Sequence, residues 1–283
     1  IKGVSVANIL LGNGSDEVLD LLFRAFCEPK EDNVIMISPS YGMYKVLANL
    51  NNVELKEVML EKDFSLDAKK IIDEVDENTK MILLCSPNNP TGNRIEFNVI
   101  KQVLENTNCL VVVDEAYIDF SEKNSCIGSL SNYNQLIVLQ TLSKYYGMAG
   151  IRLGMCFASE EIVAVLNKIK PPYNVNVLTQ NKAIELLEKA NDKNYKQEVI
   201  TQRKYLANEL SKFEFVKEVY PSDANFILMR TIDANSIYNQ LIKKNIIVRN
   251  RTKEPLCENC LRITVGTPSE NELLLQTLKQ IVL

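Results

Sequence analysis

The order of elements along this 283-residue chain predicts an α/β fold: a mainly parallel central sheet sandwiched by helices, followed by a smaller C-terminal α+β domain. Short β-branched runs alternate with amphipathic helical stretches, which is the βαβ pattern. Several of the runs are apolar at consecutive positions, as parallel strands covered on both faces must be. Past residue 180 the alternation gives way to strands grouped around a single helix.

The first strand is Ile9-Leu10-Leu11, followed by a helix from Asp16 to Phe26. Val34 to Ile37 with Gly42 to Leu50, and Val53 to Leu60 with Leu66 to Val75, repeat the pair. Then come a strand from Met81 to Cys85, a loop through Gly92, a helix from Glu96 to Glu105, and strands Leu110 to Val113, Leu136 to Leu139 and Leu153 to Ala158. One long helical pattern runs from Thr179 to Leu210, with Gln, Lys and Glu interleaved among Ile184, Leu187 and Leu206. Beyond it, strands Phe226 to Met229, Ile246 to Arg249 and Leu261 to Val265 flank a helix near Asn235 to Lys244, and a segment from Asn271 to Val282 closes the chain. The expected division is a large domain over 1–178 and an interdomain helix with a small domain over 179–283, hinged at Pro171-Pro172. No internal repeat is evident.

Composition narrows the function. Apolar residues make up 46% and charged ones 24%, and no apolar stretch is long enough to span a membrane. A net charge of −4 with no basic run argues against nucleic-acid and anionic-membrane surfaces and for small-molecule ligands. The seven cysteines, scattered as at Cys85, Cys109 and Cys156, read as buried thiols in a reducing compartment, hence the cytoplasm. With no histidine, Ser-His-Asp and Cys-His hydrolases are excluded, and acid–base work near neutral pH falls to Lys, Asp, Tyr or a cofactor. Ile1 opens a segment that already looks structured, without an initiator Met or signal peptide, so a further front segment is expected.

In an open parallel sheet, ligands sit at the carboxyl edge of the strands. Tyr41, Asn89, Asp114 with Tyr117, and Lys144 each follow a predicted strand, and so supply aromatic, amide, carboxylate and amine groups to one rim. The run Gly12-Asn13-Gly14-Ser15-Asp16 suits an anion, since glycines let backbone N–H groups approach and a helix follows; a plain strand-to-helix turn would look the same. Thr141, Ser143 and Arg152 add hydroxyls and a fixed cation near Lys144. Taken singly, Lys144 could be a surface charge, Tyr41 a core aromatic, Asp114 a turn cap, and Arg249 or Arg262 a partner in a surface ion pair. Cys257-Glu258-Asn259-Cys260 lacks a second pair or a histidine to complete a metal site and is read as incidental, with no metal expected.

The segments Ser86-Pro87-Asn88-Asn89-Pro90-Thr91-Gly92, Asp114-Glu115-Ala116-Tyr117 and Thr141-Leu142-Ser143-Lys144, the last followed by Arg152-Leu153-Gly154, resemble in order and spacing the fold-type I, class II aminotransferases. Within them, Leu11 to Glu17, Arg24 to Pro29, Ser40 to Tyr44, Asp114 to Phe120 and Cys260 to Thr267 are similar to the histidinol-phosphate aminotransferase family. The resemblance implies a pyridoxal 5'-phosphate-dependent transferase. By it, Lys144 holds the cofactor covalently and shuttles a proton, Asp114 faces the pyridine nitrogen, and Asn89 and Tyr117 bond the phenolic oxygen. Tyr41 stacks on the ring, while Ser15, Asp16, Thr141, Ser143 and Arg152 hold the phosphate, the first two mainly through backbone N–H groups. Arg262 binds the carboxylate of glutamate and serves the phosphate of the other substrate, with Arg249 as a second phosphate contact.

The implied partners are an amino donor and a phosphate-ester substrate, namely histidinol phosphate against 2-oxoglutarate, in a cytoplasmic homodimer. The family's front segment, which supplies a tyrosine to the partner subunit's cofactor phosphate, has no counterpart before Ile1. L-threonine-O-3-phosphate decarboxylase, an aromatic amino-acid aminotransferase and a non-catalytic cofactor-binding domain stay open as alternatives.

Overall fold

A computed structural model describes residues 2–189 and 193–282. The strands of the first half are β1 (Ile9–Gly12), β2 (Asn33–Ser38), β3 (Glu54–Met59), β4 (Thr79–Cys85), β5 (Leu110–Asp114), β6 (Leu136–Thr141) and β7 (Gly154–Phe157). They form one sheet in the order β1-β7-β6-β5-β4-β2-β3. Pairings from β3 through β6 are parallel, and β7 runs antiparallel to both its neighbours. Every residue of β2 and β6 is buried, which explains their uninterrupted apolar runs. The edge strand β3 buries only Val58 and carries Glu54, Lys56 and Glu57, charges that discourage further strand pairing.

Helices cover both faces. On one, α1 (Ser15–Phe26), α2 (Met43–Leu50) and α5 (Glu160–Ile169) bury Val18, Leu22, Leu47 and Leu166 against Met36, Leu83 and Ile137. On the other, α3 (Ala68–Glu74) and α4 (Phe97–Asn106) bury Ile71, Ile100 and Val103 against Ile37, Ile82, Val113 and Val138. Because successive strand residues point to opposite faces, a single apolar run feeds both cores.

After α5 the chain forms α6 (Val177–Lys189) and α7 (Lys193–Leu210), which carry the long helical pattern expected over 179–210; residues 190–192 lie outside the described ones. A second sheet, antiparallel throughout, has the order β10-β11-β9-β8, with β8 (Val216–Val219), β9 (Phe226–Thr231), β10 (Arg249–Asn250) and β11 (Cys260–Thr264). Ile227, Met229, Leu261 and Ile263 pack one of its faces on α7, on α8 (Ala234–Lys243) and on α9 (Pro268–Leu278). From the other face, Tyr220, Leu228, Cys257 and Cys260 join the core of the large sheet, where Phe64 and Tyr220 meet edge to face at 4.8 Å.

Three details differ from the sequence reading. The strand expected over 246–249 shrinks to Arg249–Asn250, because Asn245 takes a left-handed φ of 60° and the Ile246 N–H closes the end of α8 on Leu241 O. The last helix begins at Pro268 rather than Asn271, since Thr267 and Glu270 form a reciprocal cap and Pro268 occupies a first-turn position that needs no N–H donor. Strand β8 was not anticipated, and a register shift between Val216 and Glu218 breaks the alternation that would have marked it.

The antiparallel β7 lies against the turn after β1. A Cβ on Gly154 would stand 2.3 Å from the Ser15 backbone nitrogen and 2.4 Å from the Gly14 carbonyl carbon, so only glycine lets the two backbones approach. Gly154→Ala is expected to destabilise the chain by about 2 kcal/mol, in the range for overpacked sites. Denaturant unfolding reads the change, and a midpoint equal to that of the native chain would contradict the packing argument.

Candidate active site

The carboxyl ends of the central strands and the turns after them enclose a cavity of about 200 Å³. Ser15 and Asp16 reach it from the start of α1, Tyr41 from beyond β2, Cys85 and Asn89 from β4 and its following loop, Asp114, Ala116 and Tyr117 from β5, and Thr141, Ser143 and Lys144 from β6; Ala149 and Arg152 complete the lining. All the residues expected to bind a cofactor thus meet in one place. A larger cavity of about 800 Å³, around residues 2–8 and 118–134, contains none of them, and the chemistry assigns the site to the smaller one.

Asp114 ends β5, in register with Cys85 and Leu139, and is 3% exposed. Its Oδ1 accepts the Ala116 N–H at 3.1 Å and its Oδ2 accepts the Tyr44 hydroxyl at 2.9 Å. Burial drives its pKa from 3.8 up to about 6, against the pull of those two hydrogen bonds. Next to it, buried Glu115 accepts the Cys126 N–H at 2.7 Å and the Gln140 amide at 2.8 Å, which fastens the strand end to the neighbouring loop and to β6.

Lys144 is exposed at the cavity, and its amine lies 5.4 Å from the centre of the Tyr117 ring. The protein packed around that amine, together with the Arg262 charge, holds its pKa below the ordinary lysine value, while Asp114 pulls the other way. Burial pushes Tyr117 up to about 12, and its ring meets Phe226 edge-on at 5.1 Å. Tyr41 donates its hydroxyl to Asp16 at 3.1 Å, which braces the ring at the pocket wall.

One end of the cavity is built for an anion. Gly14 caps α1 with a φ of 86° and supplies no side-chain cap, and Ser15 and Asp16 bring the positive end of that helix to the cavity. A Cβ on Gly14 would stand 2.5 Å from an Arg152 nitrogen, so glycine also makes room for the guanidinium. Arg152 lies 3.9 Å from Asp16, and Thr141 Oγ1 donates to Ser143 Oγ at 3.0 Å beside it. At the other end stand Asp114, Tyr117 and Asn89. A flat heteroaromatic ring with a phosphate at one end and a ring nitrogen and phenolic oxygen at the other matches this donor set.

The arginines lie farther out. Arg262 on β11 is absent from the cavity lining, but its guanidinium donates to Asn89 Oδ1 and stacks 4.8 Å from the Phe226 ring. Arg249 is exposed on β10 directly opposite Arg262. Sequence reasoning missed Cys85, Ala116 and Ala149 in the lining and Tyr44 beneath Asp114. For Tyr44 the signal was faint, since its spacing marks only the buried face of an amphipathic helix.

Residues 2–278 match the model of the aminotransferase class I and II family, and the chain belongs to that family. The fold is that of the type I pyridoxal-phosphate-dependent transferases. At finer grain, the chain is 59% identical over 276 residues to the histidinol-phosphate aminotransferase of Flavobacterium johnsoniae, covering 96% of this chain and 78% of that protein. The histidinol-phosphate aminotransferase structure from Clostridium acetobutylicum superposes with a TM-score of 0.88 at 28% identity, covering 97% of this chain and 83% of that one. The one from Sinorhizobium meliloti, in complex with pyridoxal-5'-phosphate, superposes at 0.87 with 23% identity over 99% of this chain and 78% of that one. No described helix is long and apolar enough to cross a membrane.

The buried carboxylate gives the cofactor-free chain a defined pH signature. Asp114 binds its proton more tightly folded than unfolded, so its burial costs nothing well below pH 4 and progressively more as pH rises to about 6, on the order of 3 kcal/mol in all. Asp114→Asn removes that cost. Its stability relative to the native chain, from denaturant titrations of the cofactor-free proteins, is expected to grow between pH 4 and pH 7; a flat or falling difference would contradict the assignment.

Proposed function

We propose that this chain transfers an amino group between histidinol phosphate and 2-oxoglutarate, giving imidazole-acetol phosphate and glutamate in histidine biosynthesis, with pyridoxal 5'-phosphate at Lys144. The observation that carries this reading is the single cavity that gathers Lys144, Asp114, Tyr117, Asn89, Tyr41 and the anion end, in a chain 59% identical to a histidinol-phosphate aminotransferase. Pyridoxal phosphate, when bound, supplies an electron sink for the pair left as the substrate Cα–H bond breaks.

The chain's own residues do the rest. Lys144 would hold the cofactor through its amine and would take the proton from the substrate carbon and return it; its lowered pKa suits both tasks. Asp114 keeps the ring nitrogen protonated with a buried negative charge. Tyr117 and Asn89 would donate to the phenolic oxygen, and Tyr41 would cover a ring face. Ser15 and Asp16 through backbone N–H groups, Thr141 and Ser143 through hydroxyls, and Arg152 through its guanidinium hold the phosphate.

Arg262, with Arg249 opposite it, receives the glutamate carboxylate in one half-reaction and the substrate phosphate in the other, since a forked guanidinium serves either anion. In this reading the parts over 1–178 and 179–283 move toward each other as the pocket closes and excludes water. The seven free thiols support a cytoplasmic location.

The reading includes a homodimer. Tyr173, Val177 and Leu178 are 94%, 65% and 80% exposed beside the pocket's first loop, where Asn174 bonds Leu11 O and Glu17. An apolar cluster of this kind suits a subunit contact. Sedimentation velocity is expected to show a dimer that Leu178→Glu weakens; a monomer at micromolar concentration would contradict it.

Lys144→Ala is expected to reduce transfer from histidinol phosphate to 2-oxoglutarate by at least about 10⁴-fold, the scale of losing an essential nucleophile and base together. Borohydride reduction of the native chain with cofactor should leave a pyridoxyl adduct on residue 144 and none in the variant. Normal turnover by the variant would refute the mechanism. Carbon dioxide release from threonine phosphate, or turnover of phenylalanine in place of histidinol phosphate, would instead replace the substrate assignment.

A further inference from the structure

The geometry points to Tyr44 as a positioning residue: its hydroxyl fixes the Asp114 carboxylate in the orientation and negative state that a cofactor ring nitrogen requires. The inference rests on the reading of Asp114 given above and adds a residue that never touches the cofactor.

Tyr44 sits on the inner face of α2, 1% exposed, three positions after Tyr41. The two rings meet edge to face at 5.6 Å and 90°, so one turn of chain places Tyr41 at the pocket wall and Tyr44 underneath. Its hydroxyl donates to Asp114 Oδ2 at 2.9 Å while Ala116 N–H holds Oδ1, so each carboxylate oxygen is tied from the protein side and its remaining lone pairs are left for the pocket. Phenylalanine would fill the same apolar space without a polar atom to satisfy. A buried hydroxyl in that position therefore costs folding energy that its acceptor Asp114, with the adjoining Cys85 thiol, offsets.

Several charged and titratable groups face Asp114: Asp16 from α1, Tyr41 and Tyr44 from the segment after β2, Cys85 from β4, Tyr117 beyond β5, and Lys144 beyond β6. Burial and Asp16 favour the neutral acid, whereas the Tyr44 and Ala116 hydrogen bonds and the Lys144 charge favour the anion. Deleting the Tyr44 hydroxyl removes the largest of the influences that favour the anion, and the balance tips toward protonation.

Tyr44→Phe tests this without depending on turnover. In the cofactor-free chain, the Asp114 carboxyl titration, followed by carbon NMR on labelled aspartate with Asp114→Asn as the assignment control, is expected to move up by about one pH unit, a tenfold change in the protonation constant. Pyridoxal-phosphate affinity by equilibrium dialysis should fall about tenfold, and kcat about tenfold with KM for glutamate within twofold, the pattern of a group acting on the transition state. Leu47→Ala, which thins the same helix face without touching Asp114, should lower the melting temperature and leave the titration in place. Site-specific 3-fluorotyrosine at position 44, a stronger donor, should move it downward, and this arm decides alone if Tyr44→Phe fails to fold. An unmoved Asp114 midpoint in the folded variants, or an equal shift in Leu47→Ala, overturns the proposal. Because the titration is read without cofactor, its outcome is separate from that of the amino-transfer assay.

Discussion

A carboxylate at the end of a central strand, shut away from water, can stay ionised only if the surroundings supply what water would have supplied. Asp114 is in that position. The terminal residue of β5 must point somewhere, and the packing of β4 and β6 on either side leaves it the cavity floor. Tyr44, Ala116 and Lys144 answer its charge from three different segments, so the placement of one carboxylate constrains the start of α2, the turn after β5 and the loop after β6 together.

That dependence explains why the site needs two fully formed cores. The rim loops contribute the functional atoms, but their positions are inherited from strands buried on both faces, whose side chains alternate into two apolar layers. Asn88 shows the same economy at the loop level: it accepts from Ser40 and donates to Pro39 O and Thr91, so the loops after β2 and β4 are held together and Asn89 is left to face the cavity. The anion end combines the start of α1 with the side chains of Thr141, Ser143 and Arg152, and Gly14 and Gly154 are required there because Arg152 and the turn after β1 occupy the space that a Cβ would fill.

Much of this was legible in the chain because strand runs and chemistry-bearing residues fall in strict succession. Tyr41, Asn89, Asp114, Tyr117 and Lys144 each trail an apolar run, so locating the strands located the rim, and the motif spacing did the rest. What escaped was set by long-range contact. Tyr44 reads as one more apolar position on a helix until the strand 70 residues later is seen beneath it. Ile246 to Val248 has the composition of a strand, but its first N–H is spent on the end of a helix, a choice no local pattern records. The last helix starts at Pro268, ahead of the segment expected from Asn271, because Thr267 and Glu270 cap it reciprocally.

The bond between Arg262 and Asn89 ties the small sheet to the loop after β4, and it has a consequence for recognition. A guanidinium that already leans on a neutral amide oxygen has been stripped of part of its hydration before any molecule arrives. A newcomer must therefore outbid an internal acceptor, which full negative charge does easily and a hydroxyl or amide does poorly. In the substrate role proposed for Arg262, the contact sets a threshold that filters visitors by charge before shape is consulted.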